Sequence, residues 1–379
     1  MDTHAPPQSS KLKGKKTGHS MTDPQFVYPT EALQQGSEGG AVLQDSDVTQ
    51  WREKGFALVS GVFPSEAVSD VSEKGRGIYA SADLSGIRDF GSGGKLEFPT
   101  GETACDSFTL HPRLLKAVSQ LLGTEDLRLT QSDVWLKVGR EGEEGGPKDN
   151  QNQRIHVDFP NHTLVVPPHW TSPEAVEMIV YFDKAEETGG GTAVVPREGP
   201  EDPAYAEGCY QHNCGFGPLQ YVNNLTAAEA YLETESPDAA RFRKEHLYPR
   251  EKRVSFVPGT VLFYRHDTWH RGTPVRQGQT RLVMNLTFCR ADSVFCVLQK
   301  GWSWSMYKPD LYFEKTVAGL STWQRTALGF PPPGHPYWNA YTLMMVRKRY
   351  GPLGMNMDDY EQGVKKGKDG KRCTANGHA

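Results

Sequence analysis

Leu127-Arg128-Leu129-Thr130 through Trp135-Leu136-Lys137-Val138 alternates apolar and polar positions with the two-residue period of a half-buried strand, and Arg281-Leu282-Val283-Met284-Asn285-Leu286-Thr287-Phe288 reads as an apolar strand. Short apolar runs predict further strands at Phe56-Ala57-Leu58-Val59, at Val261-Leu262-Phe263-Tyr264 after the turn signal Pro258-Gly259-Thr260, and from Glu174 to Phe182. Helices are predicted over Asp47–Lys54, after Ser65 as a cap with Ala67, Val68 and Val71 on one face, and over Leu114–Gly123 with Gly123 as the stop. Ala227 to Lys244 reads as a helical insertion, and Ser321 or Thr322 starts a helix through Trp323, Gln324 and Arg325. Strands dominate the middle of the chain, and helices take the N-terminal part and the insertions. The pattern suits a mainly β class with helical additions (α+β), arranged as a double-stranded β-helix, a cupin-like jelly-roll.

Composition sets the organisation around that pattern. A chain of 379 residues with 37% hydrophobic and 23% charged positions can bury a substantial core. Residues 1–40 carry Pro, Gly, Ser, Gln and the basic cluster Lys11, Lys13, Lys15 and Lys16, a composition that predicts disorder. Residues 41–350 are expected to form one jelly-roll domain with a C-terminal helical extension. Residues 351–379, with Lys365-Lys366-Gly367-Lys368 and Lys371-Arg372, are expected to form a flexible basic tail. The aromatics Trp302, Trp304, Tyr307, Tyr312, Phe313, Trp323 and Trp338 read as packing of that extension onto the sheet.

The formal net charge of -4 gives no global drive towards nucleic acid. No apolar run is long enough to span a bilayer, and the N-terminal residues lack a secretory apolar run. The cysteines are scattered and form no C-x-x-C pair, so a reducing intracellular compartment is expected; Cys209 and Cys214 read as ordinary thiols. The expected location is the cytoplasm, with the nucleus as the alternative that the basic tails offer.

Candidate chemistry enters with His156-Val157-Asp158. At a strand end, alternate residues project the same way, so His156 and Asp158 can reach one metal while Val157 enters the core. By itself the pair is a weak signal. It follows the Leu127–Val138 strand and a polar loop from about Gly139 to Gln153. Downstream, Trp269-His270-Arg271-Gly272-Thr273-Pro274 offers a third ligand, and Arg281 follows eleven residues after His270. Two imidazoles and one carboxylate can take one face of an Fe(II) ion and leave the other open. The Arg281 fork suits a carboxylate such as the distal one of 2-oxoglutarate. His266 and Arg276 are competing choices for the histidine and the arginine. Arg281 opens an apolar strand, whereas Arg276 lies in a polar turn. His162, soon after Asp158, reads as a substrate contact or a surface residue.

With these landmarks the chain resembles the phytanoyl-CoA dioxygenase family of Fe(II)/2-oxoglutarate oxygenases, over roughly Val48 to Arg290. Phe56-Ala57-Leu58-Val59 with Phe63-Pro64-Ser65-Glu66 resembles the family's opening strand and first helix. Thr188-Gly189-Gly190-Gly191-Thr192 through Pro196 resembles its glycine-containing turn and strand. The resemblance favours His270 over His266. It implies that His156, Asp158 and His270 bind Fe(II), that Arg281 anchors 2-oxoglutarate, and that Lys137 helps to orient it. It also implies hydroxylation with O2, with release of succinate and CO2 and with ascorbate as an accessory reductant. The carboxylate of Asp158 favours hydroxylation over halogenation, since related halogenases have a small residue there. A small-molecule or lipid-derived substrate is expected. A nucleic-acid or protein oxygenase, motivated only by the basic tails, and a non-catalytic jelly-roll binding protein are the alternatives.

Overall fold

The segments Leu127–Val138 and Arg281–Phe288 become neighbouring strands of a six-stranded antiparallel sheet in the computed structural model of the chain. The structure describes residues 41–80, 95–139, 149–158, 173–206, 223–293, 312–328, 330–335 and 350–364, with positions 338, 340, 343, 346 and 347. In chain order the first elements are α1 (Asp45–Lys54), β1 (Phe56–Val59), α2 (Ser65–Tyr79), β2 (Lys95–Glu97), α3 (Thr103–Thr109) and α4 (Pro112–Leu122). Then come β3 (Leu127–Val138), β4 (Asp149–Asn152), β5 (Ala175–Tyr181), β6 (Thr192–Val194) and β7 (Asn223–Asn224). The helical insertion is α5 (Leu225–Glu235) and α6 (Pro237–Phe242). It is followed by β8 (Lys252–Arg253), β9 (Val261–Tyr264), β10 (His270–Gly272), β11 (Thr280–Arg290), α7 (Tyr312–Gly319) and α8 (Thr322–Ala327).

The large sheet runs β1-β9-β5-β11-β3-β2, and a small sheet runs β10-β6-β8. Because side chains alternate across a strand, each strand of the large sheet feeds two different cores. Met178, Val180, Phe263, Leu282, Met284, Leu286, Val134 and Leu136 face a cluster shared with the helices, including Leu114, Leu115 and Val118 of α4. Trp135, Tyr181, Leu262, Tyr264 and Val283 face the opposite way. They pack with Val194 of β6 and with Val254 and Phe256 beside β8, so the two sheets enclose the second core. This two-sheet arrangement with helical additions is the jelly-roll class expected from the pattern.

Local sequence explains most of the helix ends. Gly55 and Gly123 take left-handed backbone after α1 and α4, and Ser321 forms a capping box with Gln324 at α8. The expected role of Ser65 is corrected: it is the first residue of α2, Pro64 precedes it, and no side chain caps that end. The single insertion helix is also corrected. Pro237 has no N–H to continue α5, so the helix breaks at Ser236 and restarts as α6, ending in a π-helical turn at Arg243–Leu247. Within the expected Gly139–Gln153 loop, Asp149–Asn152 pairs with β7 as a short parallel ribbon.

Residues 351–364 had been grouped with the basic tail, yet Met355, Met357 and Tyr360 are buried in the helical core. Trp338 packs on Tyr360 with ring centroids 4.6 Å apart, and Trp323 and Phe330 lie against the same cluster. Trp302, Trp304, Tyr307, residues 1–40 and the basic run from 365 lie outside the described residues. No helix among the described residues is long and apolar enough to cross a membrane.

Candidate active site

Residues 153 to 158 run antiparallel to the segment from 266 to 272, and this pairing builds the site. The Gln153 N–H donates to the Gly272 carbonyl at 3.0 Å, and the Asp158 N–H donates to the His266 carbonyl at 3.2 Å. His156 and His270 exchange both backbone hydrogen bonds, each at 2.9 Å. Opposed residues in such a pair put their side chains on the same face. The two imidazoles therefore stand together, with ring centroids 4.5 Å apart. The intervening Ile155 and Val157 turn the other way and pack with Trp269, Val195 and Leu247, which fixes the register.

Asp158 completes the cluster. Its Oδ1 lies 3.4 Å from His156 Nε2, and its Oδ2 lies 3.2 Å from His270 Nε2. The outward nitrogens are also accounted for. His156 Nδ1 lies 2.9 Å from the Arg154 carbonyl and His270 Nδ1 lies 2.9 Å from the Thr268 carbonyl. A carbonyl only accepts, so both Nδ1 atoms carry the proton and donate. That tautomer leaves the Nε2 lone pairs of both rings aimed towards a carboxylate. Lone pairs and anionic oxygens converging in a half-buried place require a cation or a proton between them. Among the described residues, His156, Asp158 and His270 form a group whose donor atoms all lie within 4.8 Å of one another, and the donor set suits a divalent metal.

The electrostatics follow from burial and proximity. Burial lowers the pKa of His156, with the neighbouring His270 acting in the same direction. Burial also acts against charge on His270, but the Asp158 carboxylate outweighs it and raises His270. For Asp158 burial would raise the pKa; the charge of His270 and hydrogen bonds with Glu177, His156 and His270 hold it well below the usual carboxylate range. Glu177, on β5, is pushed up to about 8 by burial and by the Asp158 charge. It lies 2.9 Å from His266 Nε2 through Oε1. Tyr264, at the end of β9, donates its hydroxyl to Asp158 Oδ2 at 3.2 Å.

Sequence reasoning did not single out Glu177 or Tyr264. The signal for Glu177 was present: it is one acid inside the apolar run Ala175-Val176-Glu177-Met178-Ile179-Val180. Tyr264 had no such signal, because its place opposite Glu177 comes from the β5–β9 register.

Lys137 and Arg281 are directly opposed on β3 and β11. Lys137 is buried and donates from Nζ to the Thr273 carbonyl at 3.1 Å. Arg281 is 3% exposed, and among the described residues its Nε and Nη1 have no hydrogen-bond partner. Its guanidinium carbon stands 5.7 Å from the Tyr181 ring, and Tyr181 bonds Thr192, the register partner of Gly272. Arg281, on the large sheet, and His270, on the small one, thus both border the space between the two sheets. That border is cut back to backbone at two points. A Cβ at Gly190 would stand 3.1 Å from Arg281 Nη1, and one at Gly272 would stand 2.7 Å from Gln153 Oε1 and 3.5 Å from Lys137 Nζ. A buried guanidinium with two donors unpaired among the described residues is costly unless an anion occupies its front.

The competing residues are used elsewhere. His266 faces Glu177 rather than the cluster, and Arg276 is exposed and donates to the Glu186 carbonyl. His162 lies outside the described residues.

The sequence profile of Phytanoyl-CoA dioxygenase (PhyH) matches residues 51–283. No curated protein matches the chain. Among solved structures, the chain is similar to the alpha ketoglutarate dependent carbocyclase SnoK from nogalamycin biosynthesis, at 16% identity and a TM-score of 0.46, covering 70% of this chain and 92% of that one. It is similar to the epimerase SnoN, in complex with Fe3+, alpha ketoglutarate and nogalamycin RO, at 17% identity and a TM-score of 0.45, covering 65% and 83%. It is also similar to EctD from S. alaskensis with 2-oxoglutarate and 5-hydroxyectoine, at 14% identity and a TM-score of 0.42, covering 66% and 77%.

Proposed function

Because this chain belongs to the phytanoyl-CoA dioxygenase family, we propose that it is an Fe(II)- and 2-oxoglutarate-dependent dioxygenase that hydroxylates a small-molecule or lipid-derived substrate. One observation carries the reading: two imidazoles and a carboxylate bring their donor atoms within 4.8 Å of one another, in a fold that also holds a buried guanidinium with two donors unpaired among the described residues. In this reading His156, Asp158 and His270 hold the iron. Arg281 receives the distal carboxylate of 2-oxoglutarate through Nε and Nη1, and Lys137 orients the same co-substrate. Bound together, iron and 2-oxoglutarate supply O2 activation with release of succinate and CO2, and ascorbate serves as an accessory reductant.

The chain's own residues do the rest. The backbone pair between His156 and His270 sets the spacing of the imidazoles before any ligand arrives. The Arg154 and Thr268 carbonyls fix the tautomer that makes Nε2 a donor to metal. Asp158 occupies the position that a halide would need, which favours hydroxylation. The residues that motivate a nucleic-acid target, the basic tails, lie outside the described residues.

An anaerobic mixture of the protein, Fe(II) and 2-oxoglutarate is expected to show a metal-to-ligand charge-transfer band, and O2 is expected to convert 2-oxoglutarate to succinate. A wild-type protein that gives no such band and forms no succinate would refute the assignment. Asp158→Ala is expected to weaken metal binding. Arg281→Ala is expected to leave metal binding in place and to cost the co-substrate about 1.5–3 kcal/mol, roughly 10- to 100-fold in affinity.

A further inference from the structure

Asp158 has two oxygens, and the fold treats them differently. Oδ1 faces His156 Nε2 at 3.4 Å, whereas Oδ2, 3.2 Å from His270 Nε2, also accepts the Tyr264 hydroxyl at 3.2 Å. Tyr264 is held firmly. It is 6% exposed, paired in register with Phe56 on β1 and Glu177 on β5, and its ring lies 4.7 Å from that of His270. A carboxylate oxygen whose lone pair is taken by an O–H donor is a poorer metal ligand than its free twin.

Resting on the metal reading above, we propose that Tyr264 reserves Oδ2 and so keeps Asp158 a one-oxygen ligand through Oδ1. The consequence is a count of open positions. Two imidazoles and one oxygen leave three positions of an octahedral ion free, enough for a chelating 2-oxo acid and for O2. A carboxylate binding through both oxygens would occupy one of them and compete with the co-substrate. Tyr264 is therefore a positioning residue: it acts through Asp158 and determines whether the co-substrate can chelate.

Co(II) in place of iron tests this without turnover. Three quantities are read under argon for wild type and Tyr264→Phe: the unfolding midpoint of the metal-free protein, the shape and position of the Co(II) d–d absorption, and the affinity of the Co(II)-loaded protein for 2-oxoglutarate. Phe keeps the ring contact with His270, so the midpoint is expected to stay within a few degrees. The d–d absorption is expected to change in shape and position as the second carboxylate oxygen replaces a solvent ligand, and 2-oxoglutarate is expected to bind about tenfold less tightly. A Tyr264→Phe protein with wild-type co-substrate affinity overturns the proposal, and so does a loss of affinity with an unchanged Co(II) spectrum. If Tyr264→Phe does not fold, Tyr264→Leu, which also removes the hydroxyl from Oδ2, is read by the same measurements and criteria. Absence of Co(II) binding by the wild type would overturn the metal reading and this proposal with it. Intact wild-type binding with an unresponsive variant overturns this proposal alone.

Discussion

A methyl group added at Gly190 would stand 2.9 Å from Val275 Cγ2 and 3.1 Å from Arg281 Nη1, on a backbone with φ of 70°. Two costs follow from one substitution. The left-handed conformation strains an alanine by about 1–2 kcal/mol, and the methyl presses on the guanidinium that is proposed to anchor the co-substrate. Gly190→Ala is therefore expected to lower the urea midpoint modestly and to weaken 2-oxoglutarate binding several-fold, with metal affinity retained. Titration of metal-loaded protein checks it, and an unchanged co-substrate affinity would remove Gly190 from the pocket.

Legibility differed sharply among neighbouring residues. His156, Asp158 and Arg281 stood out as candidates beside apolar strands, and the resemblance to a known family chose His270 over His266. Glu177 and Tyr264 could not be assigned to the site, because what brings them to Asp158 is the pairing of β5 with β9. Strand register across distant segments leaves no trace in a local window.

At the scale of elements, the insertion of α5, α6 and the π-helical turn acts as a brace behind the segment that carries His156. Arg243 is fully buried; it donates from Nε to Glu229 at 2.8 Å and from Nη2 to the Ile155 carbonyl at 2.8 Å, one residue before His156. Arg243→Met would strand the partly buried Glu229 carboxylate and release that carbonyl. Losing one partner of a buried pair costs about 3–5 kcal/mol, so a clear fall in denaturant midpoint is expected, with weaker Co(II) binding. Lys244→Met is the control. Its pair with Glu233 is exposed on both sides, and an exposed pair contributes at most about 1 kcal/mol. Equal effects from the two variants would rule out the brace. The strands of the large sheet were readable, with Phe56–Val59 and Val261–Tyr264 ending where the apolar runs end. The insertion was readable only as helix. The turn that aims Arg243 at Ile155 is held by its own Leu247, which packs in one cluster with Ile155 and Trp269, and such packing is invisible along the chain.

On the scale of the whole molecule, the large sheet separates chemistry from support. On β11, Arg281, Val283 and Asn285 face one way, while Leu282, Met284, Leu286 and Phe288 face the helical core on the other. The C-terminal segment belongs to the supporting side, through Met355, Met357 and Tyr360. Composition hid this: the basic, glycine-rich run from 365 drew the expected boundary back to 351, although the buried residues lie before it. Each of those side chains contributes about 1.5–3 kcal/mol by burial. Truncation after Tyr350 is therefore expected to lower the thermal midpoint by at least about 5 °C. Truncation after Val364 keeps all three and removes only the basic run, so its midpoint is expected to stay within about 1 °C of the full chain. Below its transition, the shorter protein should still bind Co(II), because the residues it loses pack on the face of the sheet opposite the histidines. Equal midpoints for the two truncations would show that the segment adds nothing to the core; loss of Co(II) binding well below the transition would show that the sheet does not insulate the site from its support.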